Sequence, residues 1–549
     1  MKKIIQLIIT TLICVNLNYA QSNLSEIEKI ASTGKIWGFL KYYHPQVADG
    51  KYNWDEKLFD LIPKVRNSKN KEEFSQIFID LIDDLGEVDK CISCGIKNEV
   101  HYFDKNFDLR WIENDIFFNM QLIDKLKNIE VNRHQGEKYY VSTEKNVGNI
   151  KITNENDYKN FDWRNEQLRL LTLLRYWNIV EYFSPYKYQT DLNWDEILLK
   201  MIPKFLNAKT EKDFHLAMLE LVISLDDSHN YLTTNFTREY FGNKFIPSEV
   251  KIIDDKAVVN WFYSDSLAKV NDLKIGDVIS KVNGKTISSL FKEKKKYVQG
   301  SNLNVKKAFF TQYSIFNGST DSVTIEYNRE NELYSKTIGR YQMKYFDFNW
   351  PEVDKFKILE NNIGYINLEE LKIDDVSAAM EHISNTGALI IDIRGYPNGT
   401  LYALSKYLSS KENEFFKVTY PDLNYPGKFI WRSGRKCGAK GELKYKGKVI
   451  LLVNELTQSH AEFTTMCLQT SDNVTTIGSQ TSGADGNVSK FKLVGGFYTQ
   501  ISGIGIFYPD RTETQRKGVK IDIKVNPTIK GIKLGKDEVL DRAIQLAIE

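Results

Sequence analysis

The chain has 549 residues, of which 42% are hydrophobic and 27% charged, with a net charge of +2. That length is too great for one core, so several domains are expected. The balanced charge speaks against a nucleic-acid partner. Beyond the first 20 residues no stretch approaches the run of about 18 apolar residues that a membrane span needs.

Residues 1–20 carry Lys2 and Lys3, an apolar run over 4–15, and Asn18-Tyr19-Ala20 ahead of Gln21. This order predicts a secretory signal peptide cleaved after Ala20, and a secreted or periplasmic protein. Cys91, Cys94, Cys437 and Cys467 follow the cleavage point. Cys91-Ile-Ser-Cys94 lies in a polar loop with only His101 near it. That is too few ligands for zinc, so a local disulfide is expected, with no metal and no cofactor.

Residues 33–88 and 173–228 align without gaps at an offset of 140. Trp37, Tyr42 and Pro45 match Trp177, Tyr182 and Pro185, and Asn53-Trp54-Asp55-Glu56 matches Asn193-Trp194-Asp195-Glu196. Apolar residues recur at helical spacing in both, which predicts two small units of about three helices each. The copies diverge at their ends. The second reads Leu225-Asp226-Asp227-Ser228-His229, and Asp89 of the first stands where His229 stands in the second. A scaffold residue would be shared by both copies, so His229 is a candidate for chemistry. The alternative is a histidine favoured by the helix C-terminal dipole.

The expected domains are a signal peptide over 1–20, a first helical unit over 21–110 and a connecting region over 111–165. A second helical unit over 166–240, a β-rich domain over 245–345 and an α/β domain over 350–549 follow. Within the β-rich region, residues 273–285 read LKIGDVISKVNGK, a Gly-Asp turn, a strand and an Asn-Gly hairpin turn. This looks like the heart of a PDZ domain, which takes extended peptides by strand addition. A plain β spacer is the alternative. In the α/β region residues 388–393 form a buried strand that runs into Asp392-Ile393-Arg394-Gly395-Tyr396-Pro397-Asn398-Gly399. A Gly-rich turn at such a strand end is suited to offer a backbone oxyanion donor.

Residues 448–454 are an apolar, β-branched run, and from Ser459 the pattern becomes helical. A serine at a strand-to-helix junction presents its hydroxyl where free backbone N–H groups can stabilise an oxyanion. It could also simply cap the helix.

Domain order, the PDZ-like core, the 392–399 turn and Ser459-His460-Ala461-Glu462 together resemble the C-terminal processing (tail-specific) serine peptidases over roughly residues 170–549. The resemblance implies a multidomain α+β protein: N-terminal helical repeat units, a PDZ-like β domain and an α/β catalytic domain of the ClpP/crotonase type. It implies a serine endopeptidase acting on protein or peptide substrates, with Ser459 as nucleophile. One branch of the family uses a lysine about two dozen residues after the serine. The matching turn, 481–487, has none, and Lys490 lies too late. The tricorn-like branch instead uses a Ser-His motif from an upstream helical unit, which Ser228-His229 matches, so His229 is the expected general base. Gln515 or Glu513 falls on the position of the orienting residue. The N–H groups of His460 and of Gly395 or Gly399 are the expected oxyanion hole. His460 is the competing base, but it points away from Ser459 on the helix. Two rival readings remain: a catalytically inactive peptide-binding envelope protein, and an esterase-like hydrolase on the same triad. Oligomeric state is not legible.

Overall fold

The computed structural model describes residues 24–95, 100–348, 352–441 and 444–549. The signal-peptide reading therefore lies outside the described residues. Helices α1 (Glu26–Tyr43), α2 (Trp54–Asn67) and α3 (Lys71–Asp84) form one set, and α4 (Glu166–Phe183), α5 (Trp194–Leu206) and α6 (Glu211–Ile223) a second. Their starts are set by matching caps. Asn53 accepts the Glu56 N–H and Asn193 the Asp195 N–H, while Asn70 and Thr210 accept from Glu73 and Asp213.

Each set is locked by a reciprocal pair of indole bonds. Trp37 Nε1 donates to Trp54 O at 2.8 Å and Trp54 Nε1 returns to Trp37 O at 3.0 Å. Trp177 and Trp194 repeat this at 2.9 and 3.0 Å. All four rings are buried, so each pair satisfies two polar groups inside an apolar contact. Helices α1 and α4 then pack on each other. Gly38 provides the close approach: a Cβ there would lie 1.8 Å from Asn178 Oδ1.

Residues 245–345 form an antiparallel sheet of β1 (Ser248–Ile253), β2 (Lys256–Phe262), β3 (Val278–Val282), β4 (Lys285–Thr286), β5 (Ser322–Arg329) and β6 (Glu332–Gly339). The order is β1-β2-β3-β5-β6, with β4 on β3, so β1 is an edge. Helix α7 (Leu303–Tyr313) lies against it.

The last region is built on β7 (Phe356–Leu359), β8 (Ile363–Asn367), β9 (Ala388–Asp392), β10 (Lys448–Val453), β11 (Val474–Gly478) and, after a hairpin of β12 (Val488–Lys492) and β13 (Tyr498–Ser502), β14 (Ile523–Lys524). The sheet runs β7-β8-β9-β10-β11-β14. All its pairings are parallel except β7 with β8. Strand β9 is buried throughout and apolar up to Asp392, and β10 is buried and apolar from Val449 on, as a parallel sheet covered on both faces requires. Helices α8 (Val376–His382), α9 (Leu401–Leu408), α10 (His460–Leu468) and α11 (Glu538–Ile548) supply that cover.

The 111–165 stretch, expected as a connecting region, also packs on the last region. Its hairpin Val141–Thr143/Ile150–Ile152 packs on β12, with Asn149 Nδ2 donating to Val488 O at 3.1 Å and Ser489 Oγ donating to Ile150 O at 2.6 Å. Just before it, Tyr102–Phe103 pairs with Phe429 and Ile430 of the last region. The helical sets and the β12–β13 hairpin consequently share one core, which includes Phe491 and Ile501. Cys91 and Cys94 form a disulfide. Among the described residues no helix is long and apolar enough to cross a membrane.

Candidate active site

Strand β10 delivers the chain to a tight turn and then to α10. Ser459 stands between them with φ 56° and ψ −120°. An N-cap residue occupies the β region, so this backbone is not that of a plain cap. It is a strained conformation that an L residue adopts only when its surroundings enforce it. The restraint is visible. The Ser459 N–H donates to Ala484 O at 2.9 Å and reaches Glu462 Oε2 at 3.4 Å. The buried Glu462 carboxylate also accepts from Thr481 Oγ1 at 2.5 Å, Gly483 N at 2.8 Å and Ala484 N at 2.9 Å. The Glu of Ser-x-x-Glu thus clamps the 481–484 turn beside the serine.

His229 is brought to the last region by the turn that follows α6. The Asp227 carboxylate accepts the His229 N–H at 2.9 Å, an Asx-type turn that two residues of separation allow. The same carboxylate lies 3.4 Å from His229 Nδ1. Ser502, the last residue of β13, donates Oγ–H to Asp227 Oδ2 at 2.6 Å and sits 3.1 Å from His229 Nδ1. With its own proton committed to Asp227, Ser502 Oγ accepts from Nδ1–H. That network assigns the tautomer and leaves the Nε2 lone pair free. Nε2 is buried and has no hydrogen-bond partner.

Electrostatics follow from this packing. Burial disfavours the imidazolium, but the hydrogen bond and charge of Asp227, with Glu462 beyond it, outweigh burial and raise the His229 pKa above 6.5. Burial likewise pushes the Asp227 carboxyl up. Hydrogen bonds from His229 and Ser502 reverse that push and hold Asp227 below the usual carboxylate value.

The other expected residues sit as follows. Ser459 and His460 line one cavity of about 480 Å³. The His460 N–H belongs to the first turn of α10 and has no intrahelical acceptor. The His460 ring lies 6.1 Å from Tyr396, which brings the 395–399 turn, with Gly395 and Gly399, next to α10. Burial alone lowers the His460 pKa. Glu513 is not on His229. Its carboxylate meets Lys105 at 2.7 Å, Tyr188 at 3.0 Å and Lys517 at 2.9 Å. Burial acts to raise it, yet these donors hold it down to about 2. Gln515 is buried with Oε1 unpartnered and makes no bond to His229. The carboxylate at Nδ1 is Asp227, two residues ahead of the histidine rather than near the C-terminus. An Asp-x-His signal was present for it, but Ser502 had none. Lys490 is on the exposed face of the β12–β13 hairpin.

A parallel α/β sheet with a strained serine at a strand-to-helix turn has the arrangement of a nucleophile elbow. Residues 362–525 match the family model of Peptidase family S41, a family of peptidases. Mature CPAF complexed with lactacystin is 14% identical, at a TM-score of 0.56 over 70% of this chain and 98% of that chain. Mature CPAF alone gives the same score and identity over 70% and 97%. The photosystem II D1 C-terminal processing protease is 14% identical over 68% and 98%, with a TM-score of 0.38. The likeness to CPAF is one of fold. No curated protein matches the chain.

Proposed function

We propose that the protein is an exported serine endopeptidase in which Ser459 and His229 act as one unit. The observation that carries this reading is the buried His229, with Nδ1 engaged by Asp227 and Ser502 and Nε2 left free, in a protein whose Ser459 stands on a strained junction. His229 Nε2 takes the Ser459 proton as Oγ bonds to the scissile carbonyl carbon. The same proton goes to the leaving amine as the C–N bond breaks, and water then repeats the cycle on the acyl-enzyme. Asp227 fixes the ring and stabilises the imidazolium. The His460 N–H and one from 395–399 hold the oxyanion.

The substrate is a protein or peptide. The Ser459 cavity is lined by Phe416, Val418, Phe463, Ile504 and Ile506, which suits a large apolar side chain at the cleavage point. The β-rich domain serves as a PDZ-like groove. Its support is a cavity of about 840 Å³ between edge strand β1 and α7, where an extended C-terminal tail could add as a strand. That cavity reaches Glu455 and Leu456 of the loop ahead of Ser459. Export rests on the pattern of residues 1–20.

The test is turnover of a tailed protein substrate with fluorophosphonate labelling as a second readout. Wild type should label at Ser459, and Ser459→Ala should neither label nor turn over. Labelling that persists in Ser459→Ala would overturn the reading.

A further inference from the structure

The Ser459 cavity holds a buried carboxyl, Asp485, for which the mechanism above has no use. Asp485 directly follows Ala484, whose carbonyl accepts the Ser459 N–H. It lines the cavity together with Ser459, His460 and Asn487. It is only 3% exposed. Its Oδ1 accepts the Gly486 N–H at 2.7 Å, while Oδ2 is buried and has no hydrogen-bond partner.

A buried carboxylate with an unpaired oxygen is expensive, and a carboxylic acid is not. The groups around Asp485 decide which form it takes. Glu462 on α10 and His229 face it, and the Tyr186 hydroxyl donates to its carbonyl oxygen at 3.5 Å. Arg435 and His460 line the same cavity. Two neighbouring buried carboxyls do not both ionise cheaply. Burial raises both carboxyls, but the Glu462 side chain collects four donors and that of Asp485 one, so Glu462 is the easier of the two to ionise and Asp485 the one that holds its proton. Burial first, then Glu462, raise the Asp485 carboxyl to about 8, against the Gly486 N–H and His229.

We propose that Asp485 is a substrate-binding residue of this site, whose Oδ2–H donates a hydrogen bond to a backbone carbonyl of the peptide held beside Ser459. This rests on the serine-peptidase reading above. The cavity wall joins apolar side chains such as Phe416, Phe463 and Ile506 to polar ones, and a neutral donor next to Ser459 orients a peptide backbone there without demanding a charged side chain of the substrate. Ionisation replaces that donor with an acceptor that repels the carbonyl.

The experiment is the pH profile of kcat/KM on an end-capped apolar peptide with no titratable group. Wild type should lose about tenfold above roughly pH 8, the size expected for a donor exchanged for a charge. Asp485→Asn keeps an N–H donor and cannot ionise, so its profile should be flat there. Its neutral-pH loss should be smaller than that of Asp485→Ala. An alkaline fall that persists in Asp485→Asn, or equal losses in Asn and Ala, would overturn the inference.

A readout without turnover accompanies it. The folded-state pKa lies above that of the unfolded chain, so between about pH 4 and 8 the native state binds the extra proton and stability falls as pH rises. Asp485→Asn should flatten that slope; an unchanged slope would count against the proposal. Fluorophosphonate labelling separates the two levels. Loss of labelling in wild type overturns the nucleophile and this inference together. Normal labelling with an unaltered alkaline limb in Asp485→Asn overturns only the inference.

Discussion

The two helical sets are the same device used twice, with different ends. Both hold a reciprocal Trp pair, both start their helices on matched caps, and both break the third helix with a residue at positive φ. Gly86 has φ 88° and Asp226 has φ 49°, and each N–H returns to an equivalent carbonyl, Asp83 O and Ile223 O, at 3.1 Å. After that the copies part. The first continues Glu87-Val88-Asp89 on the partly or fully exposed side of its set. The second continues Asp227-Ser228-His229 into contact with Ser502 and Ser301. The helical scaffold tolerates either ending, so the proposed chemistry rests on a three-residue turn placed where a packed unit meets the last region.

Replacing the base should have the largest effect. His229→Ala should lower kcat/KM roughly a thousandfold or more, and adding Ser459→Ala should cost little beyond that, because members of such a unit are not additive. Asp89→Ala in the first copy should be silent. Activity near wild type in His229→Ala would end the distinction between the copies, and His460 would become the base to test.

The orienting carboxylate comes next. Asp227→Asn should cost roughly a hundredfold or more in kcat, since the amide can present the wrong group to Nδ1. It should also move the acid limb of the pH profile. Asp227 helps to raise the His229 pKa, and catalysis needs the neutral ring, so the limb lies above 6.5 in wild type. Removing the charge lowers the pKa and shifts the limb to lower pH. Glu87→Gln should move nothing. A limb that stays in place in Asp227→Asn would assign the raised pKa to Glu462 instead.

These cases show what the residues reveal on their own. The strand-turn-helix around Ser459 was legible because β10 is a continuous apolar run and α10 contains no Gly or Pro. His229 stood out through the mismatch between copies. Distant spacing points to Gln515 and Glu513 for the orienting role, while an Asx turn sets the Asp227 carboxylate at His229 Nδ1. Ser502 and Asp485 carried no local signal. Their roles arise from a hairpin and a turn that reach the site only through long-range packing, which periodicity does not encode. The fate of residues 100–165 was hidden for the same reason, because their partners are more than 300 positions away.

A smaller effect, on stability alone, probes what the copies share. Trp37→Phe leaves Trp54 O without its donor and opens a gap in a closed core. Trp177→Phe does the same to Trp194 O. Each should cost about 2 kcal/mol by denaturant unfolding. Similar losses would support equal scaffolding. A far larger loss of turnover than of stability in Trp177→Phe would show that the second set also steers His229.

The smallest effect concerns the shared positive-φ position. At Gly86 a Cβ would meet no atom within 4 Å, so Gly86→Ala creates no clash and tests the backbone alone. With φ at 88°, the substitution should cost about 1 kcal/mol through conformational strain and leave turnover untouched. Asp226 bears the same strain in the second copy but is compensated. Its carboxylate accepts the Asp191 N–H at 2.9 Å and pairs with Lys306 at 3.1 Å. Asp226→Gly would relieve the backbone and remove both contacts, so its net effect on stability should be destabilising and should weaken with added salt, as the Lys306 pair is screened less than a surface one yet not immune. Unlike Gly86→Ala, it should also reduce turnover, because Asp226 adjoins Asp227 and fixes where the catalytic turn begins. A stabilised Asp226→Gly with full activity would mean that this turn is held by Asp227, Ser301 and Ser502 alone.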